Sequence, residues 1–188
     1  IVFTLGSSAV YDAGRFYAHG LAAARALGRR AVLLCGPDGR NRPADLADDA
    51  IAVDYAPHSG VFPHAAAIVH QGGVGTTGQA LRAGRPMLVM PYSHDQPDNA
   101  ARCARLGVAR VVPRDRWTIA HATRTLGALL ADADAATRAR AIGEQVRRVA
   151  IRGKVHVDLE LTGVRPTAGP EWDEAAAAET IERLAPGP

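Results

Sequence analysis

The stretch Ala67-Ile68-Val69-His70-Gln71-Gly72-Gly73-Val74-Gly75-Thr76-Thr77 decides how this chain is read. A short apolar run passes into three glycines, and a helical pattern follows at once. Glycine lets the backbone turn tightly and lets a ligand approach it closely. The free N–H groups and the positive dipole end of a helix that starts here attract an anion. Thr76 and Thr77 suit a helix cap and offer hydroxyls to phosphate oxygens. A phosphate site is expected; the plain alternative is a merely tight strand–helix turn.

The same alternation extends in both directions. Strands are expected at Ile1–Leu5, Ala31–Cys35, Ile51–Val53, Ala67–His70, Met87–Met90 and Val108–Val112. Helices are expected at Arg15–Leu27, Thr76–Ala83, Gln96–Leu106, Thr118–Leu130 and Ala135–Val149. Nearly continuous apolar strands belong to a sheet buried on both faces, which is the habit of parallel sheets. The pattern predicts an α/β fold: a doubly wound, mostly parallel, Rossmann-like sheet of about six strands with helices on both faces.

Beyond residue 150 the rhythm breaks. Val155, Val157, Leu159 and Leu161 alternate with polar residues, as in an edge strand or hairpin. Gly163–Pro170 reads as a loop and Glu174–Leu184 as a last helix. The expected organisation is a ligand-binding domain over 1–150, an inserted segment over 151–172 and a helix with tail over 173–188. The first residue, Ile1, already belongs to a strand, so the chain reads as a piece of a longer protein.

Composition excludes several classes. With 188 residues, 47% of them hydrophobic and 22% charged, the chain reads as globular and not disordered. No apolar run reaches the roughly 20 residues of a membrane-spanning helix. Cys35 and Cys103 match no metal-ligand spacing, no His–Cys–carboxylate set suggests a metal, and a reducing, cytoplasmic setting is expected. The net charge of +3 does not call for nucleic acid. Positive charge concentrates in 101–154 without interleaved aromatics, which reads as a solvated basic face opposite the acidic stretch 155–188.

Gly73, Gly75 and Gly78 also spell G-x-G-x-x-G, the dinucleotide fingerprint. That fingerprint wants an acidic residue closing the next strand and a place on the first strand. Here the next strand ends in Pro91-Tyr92-Ser93-His94, and the motif follows about the fourth strand. A nicotinamide site is therefore disfavoured.

Several motifs in order resemble a known family. They are Tyr55-Ala56-Pro57-His58, Phe62-Pro63-His64, His70-Gln71-Gly72-Gly73-Val74-Gly75-Thr76, Gln79-Ala80-Leu81, Gly84-Arg85-Pro86-Met87 and Asp95-Gln96-Pro97-Asp98-Asn99-Ala100. Together with the opening Ile1-Val2-Phe3-Thr4-Leu5-Gly6-Ser7, they resemble the C-terminal, donor-binding domain of GT-B glycosyltransferases of the UDP-glycosyltransferase superfamily. The resemblance covers about residues 1–150.

The resemblance implies roles. Gly6, Ser7, Gln71, Gly72, Gly73, Gly75 and Thr76 would hold the diphosphate of a UDP- or TDP-linked sugar, and His58 belongs to the same nucleotide group. Tyr55 would stack on the base, its alternative being a strand-end core tyrosine. Gln79 would meet the ribose, where the family often has Glu. Asp95 and Gln96 would bond the transferred sugar, with helix capping by Asp95 as the alternative; Asn99 is read as a cap or a phosphate contact. The family commonly carries two histidines before its Gly-Gly; here Gln71 replaces the second, and His70 reads as a satisfied strand-end residue. The implied function is donor binding for an inverting hexosyltransferase acting on a small-molecule or lipid hydroxyl. No cofactor or metal is implied, and the base and acceptor site are expected in an N-terminal domain absent from this chain. The alternative is a non-catalytic nucleotide-binding module.

Overall fold

The computed structural model describes residues 1–152. Six strands, β1 (Val2–Thr4), β2 (Ala31–Leu34), β3 (Ala50–Val53), β4 (Ile68–His70), β5 (Met87–Val89) and β6 (Ala109–Val111), form one sheet. Their order is β3-β2-β1-β4-β5-β6, and every neighbouring pair is parallel. The chain builds outward from β1 to β3, then returns to place β4 on the other side of β1. That reversal opens a crevice at the carboxyl ends of β1 and β4, where ligands bind in open α/β sheets.

Among the described residues seven α-helices surround the sheet: α1 (Gly6–Ala9), α2 (Phe16–Ala26), α3 (His58–Val61), α4 (Val74–Ala83), α5 (Gln96–Arg105), α6 (Ile119–Leu130) and α7 (Ala133–Arg152). Register decides which strand residues meet which helices. Val2 lies opposite Val32 and Ile68, and Phe3 lies opposite Leu33 and Val69. Successive side chains point to opposite faces, so each row lines one face. Phe3, Leu33, Val69 and Leu88 pack with Phe16 and Leu21 of α2 and Leu126 and Leu129 of α6. Val2, Leu34, Ile68, Met87 and Val89 pack with Val61 of α3, Ala80 of α4, Cys103 of α5 and Ala139 of α7. Trp117, in the turn before α6, stacks on Phe16 at 5.2 Å and donates its indole N–H to the Phe16 carbonyl at 3.3 Å.

The doubly wound architecture is thus as expected, with every strand within a residue or two of its reading. Two short helical turns, α1 and α3, were not expected, because four residues carry no helical periodicity. Helix α7 runs through Arg152, past the expected break at 150. The alternating stretch 155–161, the loop 163–170, the last helix and the acidic stretch all lie outside the described residues. Among the described residues no helix is long and apolar enough to cross a membrane.

Candidate functional site

The reversal brings the two glycine turns together. Gly6 follows β1 with φ +66°, and Gln71 follows β4. A Cβ at Gly6 would collide with Gln71 Nε2 and lie 3.5 Å from Thr76 Oγ1; one at Gly73 would lie 2.8 Å from the same Gln71 nitrogen. Gly6, Gln71, Gly73 and Thr76 therefore converge on one point. The Gln71 side chain is only 4% exposed, and its Oε1 has no partner among the described residues. A buried polar atom without a partner is costly, and each one in a fold calls for an explanation, a ligand among them.

Helix α4 begins at Val74 with Gly73 as its N-cap, two residues earlier than the sequence reading. Thr76 and Thr77 thus lie inside the first turn, and no side chain caps the helix, which corrects the expected threonine caps. Val74 and Gly75 are exposed, and the ladder starts with Thr77 N–H donating to the Gly73 carbonyl at 2.9 Å. The leading N–H groups of a helix have no partner within it. No acidic side chain stands in this turn to neutralise the dipole, so its positive end is available to an anion.

Gly72 has a different part from the one expected. Its φ is +91°, and a Cβ there would lie 3.0 Å from Val89 Cγ1 and 3.1 Å from the Gln96 carbonyl oxygen. Its N–H donates to His70 Nδ1 at 3.0 Å, and its carbonyl accepts from Asn99 Nδ2 at 2.9 Å. Gly72 therefore shapes the turn and has no N–H left for a phosphate. Asn99 does not cap, and its amide hydrogens are both taken: the second goes to Asp95 Oδ2 at 2.7 Å. Asp95 stands at the N-cap position of α5 without a side-chain cap bond, so the capping alternative falls. Gln96 is buried, and its Oε1 accepts from the N–H groups of Tyr92 (2.8 Å) and Ser93 (3.2 Å). It pins the loop that presents Asp95 through its Oε1.

His70 is fully buried, and burial pushes its pKa down to about 3, with the charge on His58 a smaller cause. It is not the satisfied histidine of the sequence reading, since Nε2 has no partner among the described residues. His58 opens α3, stacks on Phe62 at 4.3 Å and is held below its usual pKa by burial. Tyr55 follows β3 and is 66% exposed, which removes the core-tyrosine alternative. Ser7 on α1 and Gln79 on α4 are exposed, while Asp95 and His94 stand exposed before α5. His94 holds a φ of +58°, uncommon outside glycine. Gly78 is also exposed, with nothing within 4 Å of a Cβ. The dinucleotide fingerprint needs its third glycine for close helix–strand packing, and Gly78 does not serve that purpose.

One group was missed in the sequence. Arg114 pairs with Asp12 Oδ2 at 2.7 Å and lies 4.2 Å over the Tyr92 ring, and the Tyr92 hydroxyl donates to the Asp12 carbonyl at 3.2 Å. These residues are 102 positions apart at their widest, and no local pattern links them.

The chain is similar to known proteins along most of its length. Residues 21–150 match the family described as erythromycin biosynthesis protein CIII-like, C-terminal domain. Over 148 residues it is 38% identical to O-mycaminosyltylonolide 6-deoxyallosyltransferase of Streptomyces fradiae, covering 78% of this chain and 34% of that protein. It therefore spans about a third of that relative's length. The glycotransferase of kitacinnamycin superposes with a TM-score of 0.73 at 24% identity over 98% of this chain and 42% of that one, a likeness of fold. Spinosyn rhamnosyltransferase SpnG, solved with thymidine diphosphate, gives a TM-score of 0.71 at 25% identity, covering 80% of this chain and 43% of that one.

Proposed function

Since the chain belongs to the erythromycin biosynthesis protein CIII-like C-terminal domain family of glycosyltransferases, we propose that it binds the nucleoside diphosphate sugar, UDP- or TDP-linked, for an inverting hexosyltransferase. The observation that carries this reading is the convergence of Gly6, Gln71, Gly73 and Thr76 on the open N-terminus of α4 at the strand-order reversal. The diphosphate lies against that N-terminus, with Gln71 Nε2 and Thr76 Oγ1 as polar donors and Ser7 and His58 nearby in the nucleotide group. Tyr55 offers its exposed ring to the base, and Gln79 meets the ribose. Asp95 accepts from sugar hydroxyls while Gln96 donates through Nε2.

In the transfer step an acceptor hydroxyl loses its proton to a base and attacks the anomeric carbon, and the nucleoside diphosphate leaves. The negative charge that grows on the leaving group is stabilised by fixed donors already aimed at it. The base and the acceptor pocket belong to an N-terminal domain outside this chain, so the chain alone binds donor and transfers little or nothing. The neutral Gln71 suits a second reading, a nucleotide-binding module without catalysis. A parent protein that binds TDP tightly yet never transfers sugar would favour that module.

Calorimetry with UDP, TDP and NAD tests the ligand class on the chain as it stands. Pyrimidine nucleoside diphosphates are expected to bind more tightly than NAD. Tighter binding of NAD would sink the nucleotide-sugar reading.

A further inference from the structure

We propose that His70 and Asn99 clamp residue Gly72 on both sides, through its N–H and its carbonyl, making His70 a positioning residue that sets the glycine turn without touching the donor. What the turn binds rests on the nucleotide-sugar reading above; the clamp itself is a matter of geometry. The Gly72 N–H donates to His70 Nδ1 at 3.0 Å inside the protein, and the Gly72 carbonyl accepts from Asn99 Nδ2 at 2.9 Å. The φ of +91° and the close approach of Val89 and the Gln96 carbonyl leave this residue little other freedom.

The chemistry of the imidazole follows. A nitrogen that accepts from an N–H carries a lone pair, so the ring is neutral with its proton on Nε2. That Nε2 proton has no acceptor among the described residues, and the ring is 0% exposed. An apolar residue of similar shape would avoid the unpaired donor but would leave the Gly72 N–H stranded instead. The histidine is explained by what its Nδ1 holds. It also removes the Gly72 N–H from the phosphate donors, so the α4 N-terminus and Gln71 are what an anion meets.

Asn99 extends the device to the sugar side. Its one amide group donates to the Gly72 carbonyl and to Asp95 Oδ2. The diphosphate turn and the carboxylate assigned to the sugar are therefore coupled through a single side chain.

The test compares His70→Asn, whose Oδ1 can take the place of Nδ1, with His70→Leu, which has asparagine's shape but no acceptor. Hydrogen exchange of the Gly72 amide is expected to stay near wild type in His70→Asn and to rise about tenfold or more in His70→Leu, as for a lost hydrogen bond. TDP affinity should fall on the order of tenfold in His70→Leu and by less than about threefold in His70→Asn. Imidazole nitrogen NMR of the wild-type chain should show an unprotonated Nδ1. A protonated Nδ1, or equal losses of amide protection in the two variants, overturns the clamp. The tautomer needs no variant, so it decides even if His70→Leu fails to fold. A wild-type chain that binds no TDP counts against the proposed function alone, since amide exchange and tautomer still judge the clamp.

Discussion

At the scale of single residues, two groups in the crevice invite measurement. Burial holds His70 neutral, with its pKa pushed from the usual 6.5 down to about 3. The unfolded chain takes up the proton that the fold refuses, so unfolding is favoured as pH falls between those values. Stability is complete above about pH 6.5 and declines below it, by at most about 1.4 kcal/mol per pH unit. His58, also lowered by burial, acts with the same sign. The reference is His70→Asn, which lacks the buried ring but keeps His58: urea unfolding from pH 7.5 to 5 should show a shallower slope in the variant, and parallel slopes would contradict the buried neutral ring. Gln71 is the second group. Its amide sits between Gly6 and Gly73, where a histidine could carry charge beside a dianion. A charge-assisted bond is worth roughly 1.5–3 kcal/mol against about 1 for a neutral one. Gln71→His is therefore expected to bind TDP about tenfold more tightly near pH 6, with the gain shrinking toward pH 8. Isothermal titration across that range checks it, and a gain independent of pH would mean that charge is not the cause.

At the scale of elements, glycine has opposite meanings in α4 and α7. In α7 a Cβ at Gly143 would lie 2.7 Å from Gly84 Cα and 3.0 Å from the Leu81 carbonyl oxygen, so α7 crosses the end of α4 backbone to backbone. In α4 the surroundings of Gly78 are open. Helix propensity alone favours alanine over glycine by about 1 kcal/mol at both positions. Gly78→Ala should gain up to about 1 kcal/mol in chemical unfolding. Gly143→Ala should lose about 1–3 kcal/mol instead, because backbone must move to admit the methyl. Equal and favourable effects at both sites would show that α7 does not press on α4 as described. Propensity read from the sequence ranks the two glycines alike, and only packing separates them.

At the scale of the whole molecule, the loops after β1, β5 and β6 are tied together by Asp12, Tyr92 and Arg114. These groups are partly exposed, so water and salt screen them and the brace contributes modestly to global stability, about 1 kcal/mol or less. Arg114→Ala should leave the unfolding midpoint nearly unchanged while amide exchange accelerates around Asp12 and Tyr92; exchange that stays as in wild type would deny the brace. The sequence by itself was enough for the strands, the long helices and the glycine turn, but not for the short turns α1 and α3. Strands such as Met87–Val89 are continuous apolar runs, helices such as α6 repeat at 3.6 residues, and the glycine turn after Val69-His70 is local chemistry. Each of these signals lies within a dozen neighbouring residues. Tertiary structure alone decided the rest: that the Gly72 N–H belongs to His70, that Asn99 joins Gly72 to Asp95, that Gln96 holds the Tyr92 loop and that Arg114 reaches Asp12. A side-chain amide, a ring nitrogen or a guanidinium can bond any partner within about 3 Å. Which partner stands there depends on how distant segments pack, and no local periodicity records that.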